Sequence, residues 1–349
     1  MAYAARKAPN NPGGPSPLRR PGSIRRTSTI DTGWPEGMGK PMRMRGRARD
    51  LFTSPGGAAQ VLAEDSMDIL STPARQIETI STSRRNDDAQ QFVGARGGGH
   101  LRGEITRLMP DEQSGTTPLN LILDDFSGAS LVANWAWSRW ITDWTTRMRE
   151  AAAAAGAEAM GPRRMEGICS GFRPGSSALT SDGGPQRDQS FALVPPLPHP
   201  EDPAGWHEFT PQAEGVGMRR ARRIDAWFDG DFVKLDIGFQ DSATNPAGGP
   251  NRIAIHEYRV HALADPETFE LLSIQVDPRV LPFRECPGAT PNASLMVGAD
   301  LTSFRLKVVE VLPGTMGCTH LNDVLRSMAD ATGLTRRLRA ELSKLAEPA

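Results

Sequence analysis

The strongest constraint on this chain is that it repeats itself. One unit begins at Arg25-Arg26, passes Ile30-Asp31 and Trp34, and enters a basic strand, Met42-Arg43-Met44-Arg45, leading to Asp50. The other begins at Arg222-Arg223, passes Ile224-Asp225 and Trp227, and enters a strand from Phe232 to Phe239 leading to Asp241. Each then turns, at Thr53-Ser54-Pro55-Gly56-Gly57 and at Thr244-Asn245-Pro246-Ala247-Gly248-Gly249. Strand-like runs follow, ending near Ile80 and Ile274, then Val93-Gly94 and Val297-Gly298. Both units close on a helix start, Gly115-Thr116-Thr117-Pro118-Leu119-Asn120 and Gly317-Cys318-Thr319-His320-Leu321-Asn322. Matched features in one order predict a tandem duplication. A length of 349 residues suits two domains.

The second unit is the easier to read. Phe232 to Phe239 and Arg252 to Leu263 alternate with the period of half-buried strands. Phe269 to Val276 reads as a third strand, stopped by Asp277-Pro278. Cys286-Pro287 opens a helical segment to Val297, Phe304 to Val311 fits a helix, and Thr319 caps a last helix from His320 to about Ala331. Strands first and helices after predict an α+β fold, an antiparallel sheet with helices on one face. In the first unit a long helix is expected from about Ser127 to Ala155, with Trp137, Trp140, Trp144 and Met148 on a core-facing stripe. The expected organisation is a tail (1–24), a first α+β unit (25–155), a linker (156–218) and a second unit (219–349).

Composition supports the tail and the linker. The 35 glycines and 29 prolines are roughly a fifth of the chain, against a usual ~12%. Ala8 to Gly22 has five prolines and no apolar period, so it reads as a disordered basic tail. Residues 1–50 carry a net +8, the rest −9, for an overall −1. That balance recruits neither a specific nucleic acid nor an acidic membrane. No stretch approaches 18 uncharged apolar residues, and no secretory signal is visible. With only three cysteines, a disulfide scaffold is excluded, and reduced thiols in a cytoplasmic protein are expected. The cluster Arg219-Arg220-Ala221-Arg222-Arg223 reads as a solvated strand entry. There is no Gly-Lys-Ser/Thr loop and no strand-GxGxxG-helix context.

The chemistry-bearing residues fall in the second unit. His256 lies on a strand, Cys286 where strands give way to helix, and Cys318 and His320 at a helix start. At the last pair the first unit has Thr116 and Pro118, and near the other two it has no His or Cys. Thiolate and imidazole are ligands of zinc and of iron–sulfur clusters, so His256, Cys286, Cys318 and His320 are the candidate metal ligands. The alternative is a thiolate at Cys318, acidified by the helix N-terminus, with His320 as its base. Asp265 or Glu257 is the expected outer partner of a ligating imidazole. The first unit is expected to shape a cleft, lidded by linker residues Cys169 and Phe172 or Trp206 and His207. Three functions stay open: a metal- or thiol-dependent enzyme on a small organic substrate, a metal-binding or iron–sulfur-handling module, and a structural domain.

Ile255-His256, Asp265, Cys286-Pro287 and Gly317-Cys318-Thr319-His320-Leu321 carry a resemblance. The second unit resembles a bacterial family catalogued as domain of unknown function 2889, and Arg25 to Trp140 resembles the front half of its longer, actinobacterial-type members. No activity follows from that resemblance. More loosely, the layout is similar to the SufE/NifU-like scaffold fold, with His256, Cys286 and Cys318 where that fold has its soft ligands. The resemblance implies iron–sulfur handling, against which His256 stands in place of a cysteine and Cys318-x-His320 in place of an adjacent pair.

Overall fold

The computed structural model describes residues 7–154, 165–180, 189–211 and 214–346. The N-terminal half contributes strands β1 (Ser23–Gly33), β2 (Met42–Thr53), β3 (Ala59–Ser71) and β4 (Ile77–Thr82). Helices α1 (Asn86–Gln90), α2 (Gly99–Leu108), α3 (Pro110–Ser114), α4 (Pro118–Val132) and α5 (Trp144–Ala154) follow. After a short β5 (Ala192–Val194), the C-terminal half contributes β6 (Gly217–Asp229), β7 (Phe232–Thr244), β8 (Arg252–Ala264) and β9 (Leu271–Val280). Then come α6 (Phe304–Val311), α7 (Thr319–Ser327) and α8 (Asp330–Ala346). The fold is α+β.

All nine strands lie in one antiparallel sheet, in the order β4-β3-β2-β1-β6-β7-β8, with β5 and β9 sharing the far side of β8. Two four-stranded meanders thus meet through their first strands, with Ser28 opposite Arg222 at mid-register. Two residues before each of those positions stand Arg26 and Arg220. Arg26 is bonded to Asp50 on β2, and Arg220 to Asp241 on β7. Directly after each aspartate the ladder bulges, so β3 skips Leu62 and β8 skips Ile255. Ala63 therefore faces Asp50, and His256 faces Asp241.

Alternation along β6 sends Arg220 and Arg222 to one face of the sheet and Arg219 and Arg223 to the other. All four are buried, so the cluster is not a solvated strand entry. On the helix-covered face Arg26, Arg220 and Arg222 meet Asp50, Asp241 and Asp125, and α7 and α8 add Asp323 and Asp330. On the opposite face Arg219 pairs with Asp31 and Arg223 with Asp236. Buried charges persist only when paired, and here each guanidinium has a carboxylate.

Three further expectations change. Residues 7–22, read as a disordered tail, form a strap. Asn11 N–H donates to the Arg279 carbonyl at 2.8 Å, Gly13 N–H to Glu257 at 2.5 Å, and Ser16 N–H to the Leu197 carbonyl at 2.8 Å. Lacking an apolar period, the segment builds no element of its own, yet its backbone groups find partners on the sheet edge and on residues 189–211. Part of the expected linker is equally structured: residues 165–180 pack on the C-terminal half and β5 pairs with β8, while 155–164, 181–188 and 212–213 lie outside the described residues. The long helix expected over 127–155 is instead α4, a 3₁₀ segment (Ala133–Arg139) and α5. Its indoles are drawn apart, Trp137 to Trp34 with ring centroids 5.3 Å apart and Trp140 to the Thr244 carbonyl at 3.1 Å. Strand β9 runs through Pro278, which costs no ladder bond on an outer strand. Among the described residues no helix is long and apolar enough to cross a membrane.

Candidate functional site

The β8 bulge sets His256 opposite Asp241, and the first turn of α7 brings His320 over both. One ligand atom from each of the three lies within 4.8 Å of the others. Asp241 is fully buried and accepts from Arg220 Nε at 2.9 Å and Nη2 at 3.0 Å. Its Oδ2 is 3.4 Å from His256 Nδ1 and 3.8 Å from His320 Nε2. The two imidazoles stack, with centroids 3.5 Å apart and planes at 17°. Trp135, from the N-terminal half, packs on His256 with centroids 5.6 Å apart.

Burial decides the charge states. It works against ionisation of Asp241, but Arg220 overcomes it and holds the carboxyl well below the usual carboxylate range. Burial pushes the His256 imidazole down despite Asp241, and pushes His320 further down with His256 adding to the effect. Both rings are therefore neutral near pH 7 and each keeps one nitrogen lone pair, while His256 Nδ1 makes no well-formed hydrogen bond and has Asp241 Oδ2 beside it at 3.4 Å.

The cysteines stand apart from this trio. Cys318, not Thr319 as expected, holds the N-cap position of α7 without a side-chain cap bond, and its Sγ is 3.4 Å from the Tyr258 hydroxyl. Cys286 and Cys169 pack around Gly171, where an added Cβ would lie 2.8 Å from the first sulfur and 3.8 Å from the second. Burial pushes Cys169 up to about 12 and raises Cys286 and Cys318 as well. For Cys318 it outweighs the helix N-terminus, so the expected acidic thiol is a neutral one. Among the described residues neither Cys286 nor Cys318 joins the histidines in a ligand-sized group; Asp241 takes that place.

Other sequence-derived candidates have different work. Glu257 faces the strap and Gln240, and Asp265 caps a turn through the Glu267 and Thr268 amides. His207 is bonded to Thr27 and Thr29 at 2.9 Å each, on the face of the sheet opposite the trio. In the sequence Asp241 marks only the end of a repeated strand.

His256, His320 and the thiols line one cavity of about 350 Å³, with Asp241 buried behind the two imidazoles. Trp135, Trp144 and Met148 come from the N-terminal half, Cys169 and Phe172 from the connecting segment, and Phe283, His256 and His320 from the C-terminal half. The volume falls within the ~300–1,000 Å³ of small-molecule sites.

No curated protein matches the chain, and no solved structure matches it. Residues 218–333, which hold Asp241, both histidines, Cys286 and Cys318, match the family model described as "Protein of unknown function (DUF2889)". Over residues 218–333, about a third of the chain, the protein is thus similar to the DUF2889 family.

Proposed function

We propose that Asp241, His256 and His320 hold a divalent transition metal that opens onto the cavity, and that the protein is a metal-dependent enzyme acting on a small organic molecule. The observation that carries this is the close group itself, two neutral imidazoles and a buried carboxylate with one ligand atom each within 4.8 Å. Two imidazoles and one carboxylate suit zinc, iron(II) or manganese(II), with positions left for water or substrate. Arg220 would orient the ligating carboxylate from behind. Bound there, the ion would polarise a substrate oxygen or acidify a water. Planes at 17° do not meet within the ~2.0–2.1 Å of a metal–nitrogen bond, so loading requires one imidazole to turn.

Metal analysis of the purified, metal-reconstituted full chain tests this. About one equivalent is expected, lost in His256→Ala and His320→Ala and kept in Cys286→Ser and Cys318→Ser. Loss in the cysteine variants would return the site to a Cys/His set. Iron accompanied by acid-labile sulfide would favour the cluster-handling alternative. Protein that takes up no metal would overturn the proposal. The stacked rings then favour a second reading, in which Asp241, His256 and His320 relay protons without a metal.

The two meanders are best explained as copies of one unit. Arg26–Asp50 and Arg220–Asp241 occupy matching positions, each followed by the same bulge. The N-terminal copy, with Ala63 and Pro118 in place of the histidines, acts as a partner that walls the cavity. Three buried free thiols fit a reducing compartment such as the cytoplasm.

A further inference from the structure

The cavity lining has a composition that narrows its ligand. Trp135 meets Phe283 edge-on with centroids 6.3 Å apart, and Phe283 meets Phe172 at 5.6 Å, making a connected aromatic wall. Such a wall leaves ring faces and edges for a further aromatic group. Among the described residues no Asp, Glu or Lys lines the cavity, and its one charged lining residue is Arg149 of α5. Arg149 is exposed and has neither a hydrogen bond nor an ion pair among the described residues, whereas Arg26, Arg220 and Arg222, buried, are paired with carboxylates.

We propose that the ligand is a small aromatic monocarboxylate, with its ring against Trp135, Phe172 and Phe283 and its carboxylate on Arg149. This rests on the reading that the cavity is the functional site, and it names the substrate class. A guanidinium matches one carboxylate through two parallel N–H donors. A phosphate dianion would call for more cationic donors than one arginine, and a flexible fatty acid would gain little from rigid rings over an aliphatic wall.

Titration calorimetry on the full chain, with and without chelator, compares 2-naphthoate, 2-naphthamide and octanoate. Naphthoate is expected to bind at least about tenfold tighter than either, and Arg149→Gln to erase its advantage over the amide. Arg149 is exposed, so that variant is expected to fold. Equal binding of acid and amide, an advantage that survives Arg149→Gln, or no naphthoate binding overturns the proposal; octanoate binding as tightly overturns its aromatic part. Metal content read in the same samples separates the two ideas. Metal without an acid preference sinks this inference and leaves the metal site; an acid preference with no metal does the reverse.

Discussion

The two halves of the sheet differ at one place that matters. In the N-terminal half Arg26 and Asp50 pair beneath the helices, a bulge follows, Ala63 and Pro118 stand at the positions matching the two histidines, and Arg337 of α8 reaches Asp50 at 2.5 Å. In the C-terminal half Arg220 and Asp241 pair in the same way, the same bulge follows, and His256 and His320 stand there instead. The buried ion pair is therefore common to both halves, whatever else the second half does. What it gains is two imidazoles on an aspartate that already had a structural partner. The comparison separates Asp241 as framework from Asp241 as ligand.

The largest expected effects test the framework. Asp50→Asn and Asp241→Asn each remove the charge opposite a buried guanidinium, and each is expected to cost about 3–5 kcal/mol in urea unfolding. The costs should be of the same order, because the pairs have the same strand positions and each arginine keeps a second aspartate, Asp330 or Asp323, with Asp50→Asn the larger because Arg337 also loses its carboxylate. A much smaller cost at Asp241 would break the comparison and mark that residue as held in place chiefly for function.

How much of this was legible in the sequence follows the same division. Alternation in Phe232–Phe239 and Arg252–Leu263 revealed β7 and β8, and the apolar run at Phe304–Val311 marked α6, because those patterns are local. His256 and His320 were legible as a pair missing from the first unit. Asp241 was not, because its role depends on cross-strand register and on a bulge that no local pattern encodes. The acidity expected of Cys318 was not legible, because helix position argues for an acidic thiol and burial argues the opposite, and burial is a tertiary property. The Arg219–Arg223 run misled likewise: charge density suggests solvent until both faces of β6 prove to be covered. The strap at residues 7–22 has no pattern of its own, so only the groups it bonds to reveal it.

A histidine bonded to the N-terminal half sharpens the contrast. His207 sits between Thr27 and Thr29 of β1, and burial, with Arg49, Arg219 and Arg47 nearby, lowers its pKa to about 3. The unfolded chain, with an ordinary pKa of about 6.5, takes up this proton first. The His207 contribution is thus complete above about pH 6.5 and is lost as the pH falls toward 3, by up to about 1.4 kcal/mol per pH unit. His207→Gln should flatten that part of the stability–pH curve while metal uptake at pH 7 stays unchanged. An equally steep curve in the variant would assign the slope to other groups.

The smallest expected effect comes from making the C-terminal half resemble the N-terminal one at the cap of α7. Thr116 occupies the sequence position that Cys318 holds in the second unit, so Cys318→Thr copies the first unit into the second. The new hydroxyl can still meet Tyr258, and threonine is a favoured N-cap residue where the thiol makes no side-chain cap bond. The added methyl must fit a site where Cys318 is only 3% exposed. A loss of no more than about 1–1.5 kcal/mol is expected, near the upper bound for a tolerated core substitution. On the proposed metal site, affinity should be untouched, because Asp241, His256 and His320 form a ligand-sized group without the thiol. Isothermal denaturation and a competitive metal titration on the same sample read both quantities. A stable Cys318→Thr protein that has lost its metal would place the sulfur among the ligands and erase the line drawn here between the histidine trio and the thiols.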